Sequence, residues 1–495
     1  MAQNRRTAYL RGLCGLLLTS GLLQAQQITG QLILDKRQPR PLLLEHSPAD
    51  EGLVFISYRS VTSSRTLTLH KYNADWVHEW SLDLYDQDTG EELTQLAVVD
   101  TTIWVFTQLL REKQLSLLAY EITLGGKVIA RAREVLRLPL ADEKRVELTY
   151  SPNRQWACLS FSIRRPADSL DQIGYFVVGV DTTFGGVWTA PYTERDLEIL
   201  RPLQPGYDGT LYALGKFHQL SSPYALWKVH QRSSPYPTYV LFRYVPSHNL
   251  TLQLPLEVGE VYLIEPTFRI ERQSIRVAAF YSERRGMQVR GLVFADVRLP
   301  GFFLTITQKT PLTQDILQRY LSERQIARGR GIPDLYLDYL IPQREGGAIL
   351  IGEQFYITTM TFRDFYGFWQ TQDVYHYDDV LIFSVDSIGE LQWVRILPKS
   401  QSSANSTELS YGLLVGPEAV YLIYRAYERG VGSQIFIVSI NERGEISSPR
   451  PLIQGFRPSD VFYRRYTKQL SNTEGLIAYY RQRTGQFILV RLELQ

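Results

Sequence analysis

One unit recurs along this chain and limits what it can become: an alternating apolar strand, a tight turn built on an acidic residue or Asn with Gly, and a second strand that often carries Trp. It appears as HKYNADWVHEWSL around Tyr72, AYEITLGGKVIAR around Glu121, VGVDTTFGGVWTA around Asp181, FSVDSIGELQWVR around Asp386 and VSINERGEISSPR around Asn441. Glu121 and Asp181 are 60 residues apart, and Asp386 and Asn441 are 55 apart. Glycine or Asn suits such a turn because one position must adopt positive φ, and the flanking alternation turns one face of each strand to a core. A period of this length, filled by short strands, is the mark of an all-β repeat architecture.

The best-formed copy spans residues 334–399. Two apolar runs (348–356 and 380–385) flank an aromatic hairpin, and the turn DSIG and a run carrying Trp393 follow. Three or four consecutive antiparallel strands make one propeller blade. Two less regular units lie between Asp181 and Asp386: LYALGKF, YVLFRYV and LTLQLPL, then VYLIEPTFRI, IRVAAFY, GLVFADV and FFLTITQ. The last unit, GLIAYYRQRTGQFILVRLEL, lacks a final strand, which the isolated early strand at 28–35 (ITGQLILD) is able to supply. The expected fold is therefore all-β: a single β-propeller of seven or eight four-stranded blades over residues 26–495, closed by pairing of the N- and C-terminal strands, which removes free sheet edges. One helix interrupts it. Thr310 is placed to cap it, Pro311 to occupy its first position, and Ile316, Leu317, Tyr320 and Leu321 share a face, so an inserted helix is expected over 311–328. No Gly-, Pro- or Ser-rich linker divides the chain, and the polar run 399–407 reads as a loop between blades.

Residues 1–25 read as a signal peptide: Arg5, Arg6 and Arg11 precede a short apolar core at 13–23, and Leu23-Gln24-Ala25 offers a cleavage site. That core is too short to span a bilayer, and no later run reaches the ~18–20 apolar residues a spanning helix needs, so no membrane span is expected in the mature chain. Without the leader the chain carries 50 basic and 51 acidic residues, a balance that argues against nucleic acid as a partner. Cys14 lies inside the apolar core, and Cys158, in WACLSF, is the one cysteine beyond it. An exported chain of this kind has no internal disulfide and depends on its core, and Cys158 reads as a small buried apolar residue.

The stretch 334–399, with GGAILIGEQFY, the aromatic hairpin, YHYDDVLIFSVDSIGELQWVRILPKSQ and the preceding RQIARGRG, resembles a family of exported bacterial β-propeller proteins. The resemblance covers about residues 310–400. It implies a propeller fold and export, and brings no catalytic residue to carry over.

Motifs that carry chemistry are near misses. Ser384-Val-Asp386-Ser-Ile-Gly389-Glu-Leu-Gln-Trp393 has one residue too many before Gly and another before Trp for a sialidase Asp box. Trp80, Trp188 and Trp393 occupy the places of tryptophans in quinoprotein repeats, but the Thr-Gly pair and adjacent cysteines of those proteins are missing. His78-Glu79 has no second His four residues on, and the seven His show no metal-pair spacing. Asp86, Asp88 and Gly90 resemble a calcium loop with Gly in the wrong place and no Glu at its twelfth position. Acidic pairs at Asp378-Asp379 and Asp334/Asp338 suit glycoside chemistry only at a separation of ~5–9.5 Å. No cofactor and no metal are therefore expected.

The remaining anomaly is the hairpin, about residues 355–380. Phe362, Phe365, Tyr366, Phe368, Trp369, Tyr375 and Tyr377 crowd it. Exposed, such a cluster is a binding surface; folded back over a neighbouring blade, it is core. The expected function is a non-catalytic binding or scaffold protein of the bacterial cell envelope, engaging another envelope protein or a glycan. The alternative is a hydrolase or lyase acting on glycans or peptides at the propeller's central channel.

Overall fold

A computed structural model describes residues 28–34, 40–61, 64–86, 90–111, 114–139, 143–164, 172–189, 197–217, 236–299, 301–428 and 432–495. The leader at 1–25 and residues 87–89 of the calcium-like turn lie outside the described residues. Among the described residues the strands form eight antiparallel sheets of four or more strands, and none closes on itself. Seven follow one another along the chain. Sheets 1 to 7 cover residues 43–86, 91–139, 143–189, 197–256, 262–311, 335–403 and 411–451. Sheet 8 is built from both ends: Ile28–Leu34 pairs antiparallel with Gln486–Glu493, which continues through Glu474–Arg481 to Val461–Phe462 and Lys468–Gln469. The early strand thus takes the place left by the incomplete last unit.

The central strands read as continuous apolar runs because both of their faces are covered. In Ala348–Arg363, Ile349 and Ile351 join Leu422 and Val438 of sheet 7, whereas Leu350 joins Phe280 and Phe294 of sheet 5. The same division repeats in eight apolar clusters, seven of them bridging two sheets consecutive in number. Val54 and Val105 join sheets 1 and 2, Phe106 and Phe176 join 2 and 3, and Val177 and Phe242 join 3 and 4. Leu241 and Val293 join 4 and 5, and Ile423 and Val490 join 7 and 8. The eighth cluster packs Leu476 and Leu489 of sheet 8 against Leu53 and Phe55 of sheet 1. Cys158 is fully buried in the interface of sheets 3 and 4, and burial pushes its thiol well above the usual range.

The repeat's turn and its Trp form a lock between sheets. The Trp80 indole of sheet 1 donates to Leu124 O in the turn of sheet 2 (2.9 Å), and Trp393 of sheet 6 donates to Glu442 O in the turn of sheet 7 (3.1 Å). Trp188 reaches from sheet 3 to Thr251 of sheet 4 (3.2 Å). In the turns themselves one side-chain oxygen takes two backbone amides: Asp386 Oδ1 accepts from Ile388 and Glu390, and Asn441 Oδ1 from Arg443 and Glu445. Gly389 and Gly444 close them at positive φ, 84° and 74°. These tryptophans pack the repeat.

The single helix expected over 311–328 is replaced by two short ones. Thr310 and Pro311 still belong to the strand Phe303–Pro311, opposite Leu292 and Gly291, so neither starts a helix. Helix α1, Gln314–Gln318, begins after Thr313, and α2, Glu323–Ala327, is restarted by a capping box between Ser322 and Gln325. The predicted apolar face is nevertheless used: Leu317 and Leu321 are buried in the cluster between sheets 5 and 6, with Ile316 and Tyr320 against it.

Two turn glycines separate backbone strain from packing. A Cβ at Gly444 would stand 2.7 Å from the Trp393 ring, whereas one at Gly367, φ 83°, would meet nothing within 4 Å. Gly367→Ala is expected to cost about 1 kcal/mol of backbone strain, and Gly444→Ala roughly 2–4 kcal/mol through the added clash. Denaturation midpoints check this; equal losses would show that the Trp lock adds nothing.

Candidate functional site

The aromatic hairpin is a ribbon that leaves its sheet. In sheet 6 the strands Ala348–Arg363 and Trp369–Val385 pair from Ala348↔Val385 to Arg363↔Trp369, with a bulge between Glu353 and Phe355. The outer strands stop early: Leu335–Pro342 reaches only Gln354, and Leu391–Leu397 only Val380. The run 399–407, expected as a plain loop, adds Gln401–Ser403 as a short strand against Tyr375–Tyr377. Beyond that point the ribbon is two-stranded and both its edges are unpaired among the described residues. Its tip, Asp364-Phe-Tyr-Gly367, repeats the sheet turns: Asp364 Oδ1 accepts from the amides of Tyr366 (3.0 Å) and Phe368 (2.9 Å). Amide donors and Gln370 hold the Asp364 carboxyl below its ordinary range.

Five of the seven candidate aromatics stand in solvent at this tip. Phe365 is 97 % exposed, Tyr366 81 % and Trp369 65 %, and Phe362 and Phe368 are also exposed. Phe365 and Tyr366 meet edge to face at 5.7 Å, and the Arg363 guanidinium lies over Trp369 at 4.7 Å. The other two belong to the root. Tyr377 is 8 % exposed and packs on Phe355 at 4.7 Å, and Tyr375 is half-buried, stacked on Phe355 at 6.5 Å. Tyr377 is thus corrected from a surface candidate to part of the ribbon's footing.

That footing holds a polar network which the sequence pattern did not single out. The buried Lys399 ammonium meets buried Glu353 Oε1 at 2.6 Å, an ion pair outside hydrogen-bond angles, and donates to Tyr377 O (2.9 Å) and Gln401 Oε1 (3.0 Å). Ser410 donates to the other Glu353 oxygen, and Gln401 donates to Arg425 O, so the ribbon root is tied to sheet 7. Burial raises Glu353 and lowers Lys399, the first because its charged form loses water and the second for the same reason, with their mutual attraction opposing both shifts. Asp338, at a bulge in the strand Leu335–Pro342, accepts from Tyr411 Oη (2.9 Å). Its carboxyl is pushed up to about 7, first by desolvation and then by the Glu353 charge. Asp338 keeps solvent-exposed surface although protein crowds it.

Three carboxyls of the acidic pairs seen in the sequence, Asp378, Asp379 and Asp338, accept hydrogen bonds from tyrosines. Asp378 accepts from Tyr356 Oη (3.1 Å), and Asp379 from Tyr320 Oη (3.0 Å) and the Lys399 amide (3.3 Å). The Glu353 charge acts on Asp338, which sits at a bulge in its strand that residue spacing does not reveal. In sheet 1 a chain of hydrogen bonds, each 2.8 Å, runs from Ser57 through His70 and Ser81 to His78. Burial and the neighbouring His78 lower His70 to about 4, and Ser57 is fully buried, so no substrate reaches this hydroxyl. Among the described residues no group of three or more His, Cys, Asp or Glu side chains is arranged to hold a metal ion. No helix is long and apolar enough to cross a membrane, among the same residues. A cleft of about 480 Å³ lies at the far ends of the inner strands of sheets 6 and 7, lined by Pro342, Arg344, Val415 and Glu418. It is away from both the ribbon and Asp338.

No family model and no curated protein matches this chain. Among solved structures it is similar to the β-propeller domain of the Trilobed protease from Pyrococcus furiosus, at 8 % identity and TM-score 0.39, over 85 % of this chain and 98 % of that one. It is also similar to the WD40 domain of SCAP from fission yeast, at 7 % identity and TM-score 0.38, over 93 % and 94 %. A third likeness, to polysaccharide lyase Uly1, has 10 % identity and TM-score 0.36, over 95 % and 99 %. No activity is carried over from them.

Two measurements probe the footing. Lys399→Met strands a buried carboxylate and is expected to cost about 3–5 kcal/mol, much of it recovered when Glu353→Leu is added; no recovery would show that the pair is not the unit. Asp338, raised when folded, favours the native state below its ordinary pKa and loses that contribution as pH rises towards about 7. Asp338→Asn cannot ionise, so its melting temperature should gain on the wild type between pH 5 and pH 8. A constant difference would refute the shift.

Proposed function

We propose that the chain is an exported eight-bladed β-propeller, closed through sheet 8, that works as a non-catalytic binding protein with the aromatic ribbon as its docking arm. The eight inter-sheet clusters support the ring, since the last one returns to sheet 1. The observation that carries the binding role is the exposure of Phe365, Tyr366 and Trp369 at the tip of the arm among the described residues. An isolated two-stranded ribbon is marginal in water. Fully exposed rings add nothing to its stability, whereas aromatic side chains dominate interface energetics once buried. The partner that fits is a protein presenting an apolar groove. The two tip rings stand edge to face at 86°, which offers no flat platform for a sugar, and the ribbon's unpaired edges offer backbone donors and acceptors to a strand of the partner.

The hydrolase or lyase reading has one observation in its favour, Asp338 held towards its protonated form beside Glu353. Glu353 and Lys399, however, neutralise each other inside the wall, which leaves a structural clamp and no second free carboxyl next to Asp338.

Photo-crosslinking tests the arm. A photoreactive side chain at Phe365 or Trp369 should yield one discrete protein adduct in intact cells, and the same group at Val187, on an outer strand, should not. Trp369→Ala combined with Tyr366→Ala should abolish the adduct formed from Phe365 and leave the melting temperature unchanged. Equal labelling from all three positions, or adducts to glycan alone, would overturn the reading.

A further inference from the structure

Beside the ribbon's footing, the loop between Val461–Phe462 and Lys468–Gln469 carries Tyr463-Arg464-Arg465-Tyr466, and Arg40 lies against it. The three guanidinium groups are held on tyrosine rings. Arg40 lies over Tyr463 at 4.3 Å, and Arg465 approaches the same ring at 5.8 Å. Arg465 also covers Tyr466 at 4.6 Å and donates to its hydroxyl at 2.7 Å, and that hydroxyl donates to Pro41 O at 2.6 Å. Arg464 points the other way, over Tyr377 at 5.3 Å, where it faces Asp338 and Glu353. Tyr463 and Tyr466 are buried, so the platforms are fixed, while Arg40 and Arg465 are exposed and Arg464 is half-exposed.

The charges nearby do not balance. Glu45 is taken by Lys468 (2.8 Å), Glu408 by Arg425 (3.7 Å) and Glu353 by Lys399 (2.6 Å). Among the described residues, none of the three loop arginines forms an ion pair. Asp338 is hydrogen-bonded by Tyr411, and the buried Asp460 carboxylate accepts from the Arg457 amide at 3.0 Å. A cluster of like charges repels itself, and stacking on tyrosine offsets part of that repulsion. What the arrangement provides is planar donor forks fixed in advance, the condition under which arginine binds carboxylate, sulfate or phosphate through paired hydrogen bonds.

We infer that Arg40, Arg464 and Arg465, seated on Tyr463, Tyr466 and Tyr377, form a binding site for a ligand that carries oxyanion groups. Arg40 and Arg465 flank one ring and supply the exposed half of the site, and Arg464 supplies the half that faces Asp338. The site is independent of the ribbon tip: no aromatic of residues 362–369 contributes to it.

Titration calorimetry on the full chain at low ionic strength tests the site, with sodium phosphate, sodium sulfate, an oligogalacturonate and a neutral galactose oligomer as probes. At least one oxyanion probe should bind, the neutral oligomer should not, and affinity should fall as salt is raised. Tighter binding of the oligogalacturonate than of free phosphate or sulfate assigns the site to an acidic glycan, and the reverse order assigns it to a free anion or ester. Arg40→Gln with Arg465→Gln should weaken binding at least tenfold with an unchanged melting temperature, and Arg464→Gln should weaken it as well. Trp369→Ala should leave it unchanged, which separates failure here from failure of the docking arm. Absence of binding by all three oxyanion probes, or binding indifferent to the arginine substitutions, would overturn the inference.

Discussion

Everything in this molecule depends on sheets that are apolar on both faces. Such a sheet, left with one face in water, would expose rows such as Val277, Ala279 and Tyr281 or Leu350 and Phe383. Each therefore needs a neighbour on either side, and a straight row would leave its two end sheets uncovered. Sheet 8 packs on sheet 1, and backbone hydrogen bonds between Ile28–Leu34 and Gln486–Glu493 join both chain ends in that one sheet. The Trp–turn locks add directional contacts to an otherwise non-directional core, and they do so between the same pairs of neighbours.

The ribbon is the exception to this rule, and its footing shows how the exception is sustained. Two-stranded structure loses the support of flanking strands, so the last well-packed residues must hold the arm. A buried charge pair does this only when its hydrogen-bonding capacity is met. Lys399 donates to Gln401 and the Tyr377 carbonyl and meets Glu353 Oε1 as an ion pair, and Ser410 donates to the other Glu353 oxygen. Desolvation moves both partners towards neutrality, so the clamp is strong in geometry and sensitive to the loss of either member. The Tyr377 ring links the clamp to the arginine loop, with Lys399 at 6.0 Å and Arg464 at 5.3 Å from it.

Much of the repeat was readable from local chemistry. An Asp or Asn that accepts two amides followed by a Gly at positive φ is a short-range device, so DSIG and NERG announce their turns without help from the rest of the chain. DFYG at the ribbon tip is the same device, and it marks where the ribbon reverses. The helical insertion was half readable. The apolar spacing of Leu317 and Leu321 marked the buried face, but Thr310 and Pro311 look like a helix start only when the ladder opposite them is unknown. The footing left no local trace, because Glu353, Lys399 and Ser410 are separated by many residues and meet through a bulge and a neighbouring sheet.

Local chemistry specifies the strand–turn repeat and the aromatic cluster of the hairpin, since each follows from residues within one or two turns of each other. Tertiary structure alone decided that the tip aromatics face solvent while Tyr377 lies beneath them. It alone decided that the Glu353 charge acts on Asp338, and that three arginines sit on tyrosine rings while nearby carboxylates are engaged elsewhere. Exposure and charge balance are sums over every neighbour in space, and no spacing along a chain contains that sum.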